Sequence, residues 1–290
     1  MARKYGAPYV GSKNNIAEEV IDFLPAGKRL CDLFGGGGAI THCALTYGRN
    51  KYRKVLYNDF NPMVVDYVRG VFSGELDVDE YEPDIITREE FNGLKYTRGD
   101  VAFIWSYGNN GIDYLWSKEK EELKLLAYAM LTRKTVRERY SYYKKFVKAL
   151  CKRGSITKED HQDMIQTIEA YNRVNEIGRF SPNRLQFSNM SYEEYEYEYG
   201  DVVYCDIPYE KSKGKVPYAK FDFKGFYEWA YSRPYPVYIS SYDISDDRFR
   251  GYPISRRRQL LSKTQDDNRL EMIYMNQAAV EEKEQEMFLL

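Results

Sequence analysis

Histidine is nearly absent from this 290-residue chain, which has only His42 and His161. Two such residues leave almost nothing from which to build a histidine metal cage or a Ser-His-Asp triad. The four cysteines, Cys31, Cys43, Cys151 and Cys205, lie far apart without a Cys-x-x-Cys pair. That argues against a zinc ribbon and a disulfide framework, and all four read as reduced cytosolic core residues. No stretch approaches the roughly 18 apolar residues that span a bilayer, and the leading Met-Ala-Arg-Lys runs into polar sequence with no apolar signal core. A soluble, cytoplasmic protein is expected. Chemistry is left to carboxylates, backbone, aromatics or a bound cofactor. An excess of either charge is missing too: 43 Lys and Arg stand against 44 Asp and Glu, so the total points to no polyanionic partner. With 43% hydrophobic residues the chain is neither disordered nor collagen-like. Tyrosine is what abounds, at 29 residues, about twice the share of an ordinary domain.

Short apolar runs alternate with helical patterns over the first 75 residues. Ile16, Val20, Ile21 and Leu24 form a helix face ending at Pro25-Ala-Gly27. Leu30 to Phe34 reads as a buried strand stopped by Gly35 to Gly38, Ala39 to Tyr47 as a helix, and Lys54 to Asn58 as a second, parallel strand. From about residue 76 the pattern changes. An acidic run, Asp77 to Asp84, precedes a stretch from Glu119 to Arg153 that lacks Gly and Pro. There Val136, Tyr140, Tyr143, Val147 and Leu150 fall at helical spacing, which predicts a packed stripe. Arg173 to Asn183 reads as a returning loop. Strands follow at Asp201 to Cys205, Pro236 to Ser240 and Glu271 to Met275, with a helix near Phe226 to Tyr231. The acidic run Glu281 to Glu286 reads as a solvated tail. The division expected is a catalytic domain of residues 1–75 and 185–290, interrupted by a mainly helical insert of residues 76–184.

Two places could carry chemistry. The strand, glycine turn and helix at Leu30 to Tyr47 form a dinucleotide-type arrangement, in which glycines admit a ligand close to the backbone and the helix N-terminus favours an electron-rich group. Asp59 fills the place of the acid that holds ribose hydroxyls roughly 20 residues on. Asp32, just before the turn, repels a pyrophosphate but suits a cationic cofactor such as S-adenosylmethionine. A purely structural glycine turn is the alternative. The second place is Val202 to Tyr209, where a strand runs into Asp206, Ile207, Pro208 and Tyr209 at the carboxyl edge of the sheet. An Asp and backbone carbonyls there can accept hydrogen bonds from an exocyclic amine while Tyr209 stacks; a strand-end turn with a buried tyrosine is the bland reading.

Taken together, the blocks Pro8-Tyr-Val-Gly-Ser-Lys13, Cys31-Asp-Leu-Phe-Gly-Gly-Gly-Gly38, Asn58-Asp-Phe-Asn61, Val203-Tyr-Cys-Asp-Ile-Pro-Tyr209 and Tyr238-Ile-Ser-Ser-Tyr242 resemble, in kind and order, the Dam-type DNA adenine-N6 methyltransferases. The resemblance covers the first 60 or so residues and roughly 200 to 275. It implies a Rossmann-like α/β fold, with a mixed sheet flanked by helices and an inserted helical target-recognition region. It also implies S-adenosyl-L-methionine as cofactor, S-adenosyl-L-homocysteine as product, and no metal. Tyr9 and Lys13 are implied to touch the cofactor, and Asp32, Phe34, Gly35, Gly36 and Gly37 to wrap its methionine part. Asp59 is implied to hold its ribose, with Phe60 alongside. Asp206 and the Ile207 carbonyl are implied to accept hydrogen bonds from the adenine amine, and Tyr209 to stack on the extruded base. The family usually has Asp-Pro-Pro-Tyr; Ile207 keeps the carbonyl but loses a ring that stiffens the turn.

The near-neutral total hides a local excess. From Leu131 to Arg153 nine basic residues meet one acid, Glu138, so this stretch carries +8 and the other 267 residues −9. Arg133, Lys134, Arg137, Lys144, Lys145 and Lys148 are the expected DNA contacts, against the alternative of a solvated helix face. Trp105 to Asn110, Arg173 to Arg184 and Lys211 to Lys220 are further candidates for lining the site. Asn109, Asn110 and Asn175 suit turns equally well. Arg256 to Arg258 could equally be a strand edge, and Tyr195, Tyr197 and Tyr199, with Glu between, read as an amphipathic strand or connection. The expected partner is double-stranded DNA, met by a monomer in a bacterial or phage-infected cytoplasm, with a cognate restriction nuclease as a further partner. Methylation of RNA adenine or protein glutamine, and a decayed DNA- or cofactor-binding protein, stay open as alternatives.

Overall fold

The computed structural model describes residues 5–76, 85–153, 169, 172–174, 176–210, 221–255 and 270–288. The acidic run at 77–84, His161, Asn175, the loop 211–220 and the basic cluster 256–258 lie outside them. Seven strands are found among the described residues: β1 (Gly27–Asp32), β2 (Tyr52–Asn58), β3 (Leu185–Ser188), β4 (Asp201–Cys205), β5 (Val237–Ser241), β6 (Arg250–Ser255) and β7 (Glu271–Met275). They form one mixed sheet in the order β3-β2-β1-β4-β5-β7-β6. The first five in that order run parallel, and β7 is antiparallel to both β5 and β6. Strands β4 and β5 are buried along their whole length, as expected of parallel strands covered on both faces. This is the Rossmann-like mixed sheet that the sequence predicts.

Among the described residues the helices are α1 (Ala17–Phe23), α2 (Ala39–Thr46), α3 (Pro62–Ser73), α4 (Arg88–Leu94), α5 (Gly99–Ile104), α6 (Glu121–Thr132), α7 (Val136–Arg153), α8 (Phe223–Tyr231) and α9 (Gln277–Phe288). None is long and apolar enough to cross a membrane. Ile16, Val20, Ile21 and Leu24, the predicted face of α1, are all buried. Phe226, Tyr227, Trp229 and Ala230 of α8 pack with Val203, Cys205, Val237 and Ile239 of the central strands. An apolar stripe on one face of an amphipathic helix thus closes one side of the sheet.

The chain divides into two compact units. The first comprises Met1–Gly6, Ser12–Val65 and Phe180–Leu290, and the second Ala7–Gly11 and Asp66–Arg179. The second unit has its own aromatic core. Trp105 meets Trp116 and Tyr128 edge-on at centroid distances of 5.8 and 5.2 Å, and Phe91 meets Tyr114 at 5.5 Å. Arg88 donates to Glu121 at 2.7 Å and lies over the Tyr114 ring.

Several expectations need correction. The glycine-free run from Glu119 is two helices, because Arg133 is extended and Thr135 restarts the chain by capping with Glu138 in both directions. The stripe predicted on α7 is only partly packed: Val136 is 79% exposed, and Tyr140 and Tyr143 are exposed, while Val147 and Leu150 are half-buried. Cys151, on the same helix, is exposed rather than in the core, unlike Cys31, Cys43 and Cys205. The acidic run at Glu281 belongs to α9, not to a tail: Ala279 is buried against the sheet, and Glu284 pairs with Arg250 at 3.0 Å. Residues 173, 174 and 176 are helical within the stretch Arg173 to Asn183, where a loop was expected. Of the two readings of Tyr195 to Tyr199, the connection is the one found, with Tyr195 buried and Tyr197 stacked on Tyr235 at 4.3 Å.

One buried ion pair ties β1 to the entry of β4. Asp201 accepts from Arg29 Nε and Nη2 at 2.9 and 2.7 Å, from Tyr195 Oη, and from the Glu198 amide at 2.9 Å. Removing the carboxylate leaves a largely buried guanidinium short of its main partner. Asp201→Ala should lower the unfolding free energy by about 3 kcal/mol, measured by urea denaturation.

Candidate active site

In a parallel sheet, a ligand crevice opens where the strand order reverses, outside the carboxyl ends of the two strands at that point. Here those strands are β1 and β4. Their register, Asp32 against Tyr204, delivers Asp32 and the following glycine loop beside Cys205-Asp206.

The glycine loop is shaped by close approach. A Cβ at Gly35 would lie 2.2 Å from the Tyr57 ring, whose hydroxyl donates to the Gly36 carbonyl at 2.6 Å. Gly38 has φ +71° at the N-terminus of α2, a conformation that side chains resist. Asp59, at the end of β2, accepts from the Gly36 amide at 3.0 Å and the Asn61 amide at 2.8 Å. The predicted ribose acid thus also clamps the loop, with a further acceptor position on each oxygen. Phe60, beside it, is 74% exposed. Phe34 is half-buried in a ring cluster with Tyr192, Phe221 and Phe226.

Asp32 is buried, and the Thr41 hydroxyl donates to it at 2.8 Å. Burial pushes its carboxyl up to about 7, with the nearby Asp206 adding to the rise. Burial likewise lifts Asp59 to about 6. Carboxyl groups with such values gather where a cation is to be held or a proton handled.

The second half of the site is a buried ionic knot. Lys13 Nζ donates to Asp206 Oδ1 at 2.5 Å and to Tyr209 Oη at 2.6 Å. Glu271, the first residue of β7, accepts from Tyr209 Oη at 3.0 Å and from Ser240 Oγ at 2.7 Å, and lies 3.7 Å from Lys13 Nζ. The Lys13 and Glu271 side chains are 4% and 3% exposed, and that of Asp206 is 20% exposed. Burial alone would depress the Lys13 ammonium, but Asp206, Tyr209 and Glu271 hold it well above its usual range. For Asp206, burial wins over Lys13 and lifts the carboxyl to about 6. The Tyr209 ring lies 4.4 Å from that of Tyr242, with the Lys13 ammonium 4.7 Å from its centroid. Ile207 is 2% exposed in the core with Cys31, Leu33 and Phe226. Its packing anchors the turn that a proline ring would otherwise stiffen.

Lys13, Asp206 and Tyr209, separated by 193 residues or more from first to last, therefore meet directly. Glu271, Ser240, Thr41 and Tyr57 were missed by the sequence reading. Ser240 lies within the Tyr238-Ile-Ser-Ser-Tyr242 block but was given no role, and Glu271 left a signal in the charge that opens the otherwise apolar run Glu271-Met-Ile-Tyr-Met275. Tyr9 is buried in the second unit, its ring 5.0 Å from Phe103. Asn109, with φ 56°, and Asn110 serve a turn: Asn109 donates to the Phe103 carbonyl, and Asn110 accepts from the amides of Ile112 and Asp113. Trp105 is core, and Arg184 donates to the carbonyls of Arg49 and Tyr52. Lys134, Arg137, Lys144, Lys145 and Lys148 are exposed, and Arg133 is half-buried. Among the described residues, no group of three or more His, Cys, Asp or Glu is placed to hold a metal ion.

The model of the family described as D12 class N6 adenine-specific DNA methyltransferase matches residues 9–233. Two structures of the rRNA methyltransferase aviRa from Streptomyces viridochromogenes are also similar. The 1.5 Å structure has 11% identity and a TM-score of 0.34, over 91% of this chain and 82% of that one. The 2.4 Å structure has 12% identity and a TM-score of 0.33 over the same shares. No curated protein matches the chain.

A charged Asp32 costs the fold stability. Its raised value means that the fold is penalised once pH exceeds the unfolded value near 4, fully so above about 7. Asp32→Asn should raise the melting temperature of the protein at pH 8 by a few degrees, read by thermal melts.

Proposed function

Because the chain belongs to the D12 class N6 adenine-specific DNA methyltransferases, it transfers a methyl group from S-adenosylmethionine to the N6 amine of adenine in DNA, and we propose that Asp206, Ile207, Pro208 and Tyr209 carry this step in a Dam-type arrangement. The observation that carries the reading is the meeting of Asp206, Tyr209 and Lys13 at the carboxyl edge of the sheet, beside the glycine loop.

The residues present fit the cofactor. The glycine loop has no room for a Cβ at Gly35, and among the described residues Asp32, Asp59, Asp206 and Glu271 outnumber the ammonium of Lys13 at this edge of the sheet. A site of that sign favours a cation over a pyrophosphate. Asp32, Phe34 and Gly35 to Gly37 would hold the methionine part, Asp59 the ribose, and the exposed Phe60 ring the base. Lys13 completes the set, while Tyr9, packed on Phe103 in the second unit, is left out of it. When bound, S-adenosylmethionine supplies an electrophilic methyl group on a sulfonium sulfur.

The chain's own residues do the rest. An adenine in a duplex cannot present N6, so the base is extruded, at a cost of a few kcal/mol, and Tyr209 offers it a ring on which to stack. The Asp206 carboxylate and the Ile207 carbonyl accept the two N6 hydrogens, which favours the more tetrahedral nitrogen that attacks. In the ligand-free site Lys13 holds Oδ1 of Asp206, so the amine first meets Oδ2, and the carboxylate is the acceptor for the proton N6 sheds.

We assign DNA binding to α6 and α7 of the second unit, through Arg133, Lys134, Arg137, Lys144, Lys145 and Lys148. Exposed Tyr140 and Tyr143 are stacked at 6.2 Å, with Lys144 over Tyr140 at 5.0 Å. Cations beside exposed rings suit a nucleic-acid surface. The same reading makes residues 76–184 the target-recognition insert of a monomer acting on double-stranded DNA in a bacterial or phage-infected cytoplasm, with a restriction nuclease as its genetic counterpart.

Label from radioactive S-adenosylmethionine should appear as N6-methyladenine in double-stranded DNA and not in RNA or protein; label confined to RNA would overturn the reading. Asp206→Ala should reduce transfer by 10³-fold or more while cofactor affinity stays within severalfold. The wild-type rate should fall as pH drops through about 6, because a carboxyl raised to that value is protonated below it. Neutralising Lys144, Lys145 and Lys148 together should reduce the slope of log K against log salt by about 2–3; an unchanged slope places the DNA elsewhere.

A further inference from the structure

Asp206 faces two demands. In the structure it is the nearest counter-ion of a buried ammonium, at 2.5 Å, yet in the reaction it must pull on the N6 hydrogens of the substrate. An ammonium with 4% of its side chain exposed cannot be left without a counter-ion. A carboxylate partly neutralised by a lysine is also a weaker acceptor for an amine.

Glu271 resolves the conflict. Its Oε1 lies 3.7 Å from Lys13 Nζ, so a shift of about 1 Å brings the pair to charge-assisted hydrogen-bond distance. Ser240 fixes the Glu271 carboxylate from β5 at 2.7 Å, and the Tyr209 hydroxyl bridges the two partners, accepting from Lys13 at 2.6 Å and donating to Glu271 at 3.0 Å. The path of the ammonium is therefore already lined with acceptors. We propose that Glu271 is a positioning residue that receives the Lys13 ammonium when the adenine amine engages Asp206, keeping the buried cation paired and restoring full charge to the acceptor. This rests on the reading of Asp206 as the amine acceptor.

Lys13 from the segment before α1, Tyr204 of β4, Glu271 of β7, Tyr209, and Asp32 of β1 surround the Asp206 carboxyl electrostatically. Among them Glu271 raises the Asp206 carboxyl and Lys13 lowers it. Losing the Glu271 charge thus moves the acid limb of the rate profile to lower pH, while Asp206 is held more tightly by Lys13.

The test is a double-mutant cycle of Glu271→Gln and Lys13→Met, with Asp206→Asn as a separate arm, using the full-length protein and double-stranded DNA. Glu271→Gln keeps the shape and the hydrogen bonds to Ser240 and Tyr209. It should lower kcat on the order of 10- to 100-fold, leave cofactor affinity within severalfold, and shift the acid limb downward. In the Lys13→Met background, the same substitution should change kcat less than threefold, because no ammonium remains to be received. Additive losses in the cycle, or an acid limb that does not move, overturn the handover. If Glu271→Gln does not fold, Glu271→Asp, which keeps the charge but withdraws it by one methylene, takes its place in the cycle with the same criterion. An active Asp206→Asn instead overturns the acceptor reading beneath it. Inactive Asp206→Asn with wild-type Glu271→Gln rejects the handover alone.

Discussion

The ammonium of Lys13 is the interaction on which the first unit of this protein turns. It is buried, it touches Asp206 and Tyr209 directly, and it draws Glu271 to within ion-pair distance. Parallel packing sets the stage, because β1 and β4 must lie side by side for a crevice to open between their carboxyl ends. The crevice then collects carboxyl groups that water would prefer to keep. Asp32, Asp59 and Asp206 are all pushed above the usual carboxylate range by burial, and among the described residues one lysine stands against them. That deficit of positive charge is what makes a sulfonium cofactor a physical fit.

Charge is distributed along the chain in the opposite sense elsewhere. The stretch from Leu131 to Arg153 concentrates +8 in a chain whose total is −1. Its single acid, Glu138, is spent on a helix cap with Thr135. The exposure of Tyr140 and Tyr143 on the same helix changes the sense of the apolar stripe. Those rings are surface groups among lysines rather than core.

Much of this was legible locally. The strands at Asp201 to Cys205 and Glu271 to Met275 have the limits that composition indicates, and the glycine loop sits where an apolar run stops. Strands β3 and β6 were not legible. Leu185-Gln-Phe-Ser188 is too short and polar to stand out, and β6 carries a proline, which marks an edge. The acidic α9 reads as a solvated run because its packing rests on Ala279, whose small side chain gives little hydrophobic signal. The three caps at Thr87, Thr135 and Ser191, each followed three residues on by Glu, were readable signals that mark where helical turns begin.

By itself the sequence determined the parts: strands, the glycine turn, an acid at the end of each of two strands, and a basic helix. Hydrophobic period and turn chemistry act over a few residues and are written into neighbouring positions. Only the tertiary structure decided which charges meet. Lys13 and Asp206 are 193 residues apart, and Glu271 opens a strand that the topology inserts antiparallel beside β5. No local pattern encodes that meeting, because it depends on the order of strands in the sheet. For the same reason the structure, and not the spacing of apolar residues, determined that α7 keeps Tyr140 and Tyr143 at the surface.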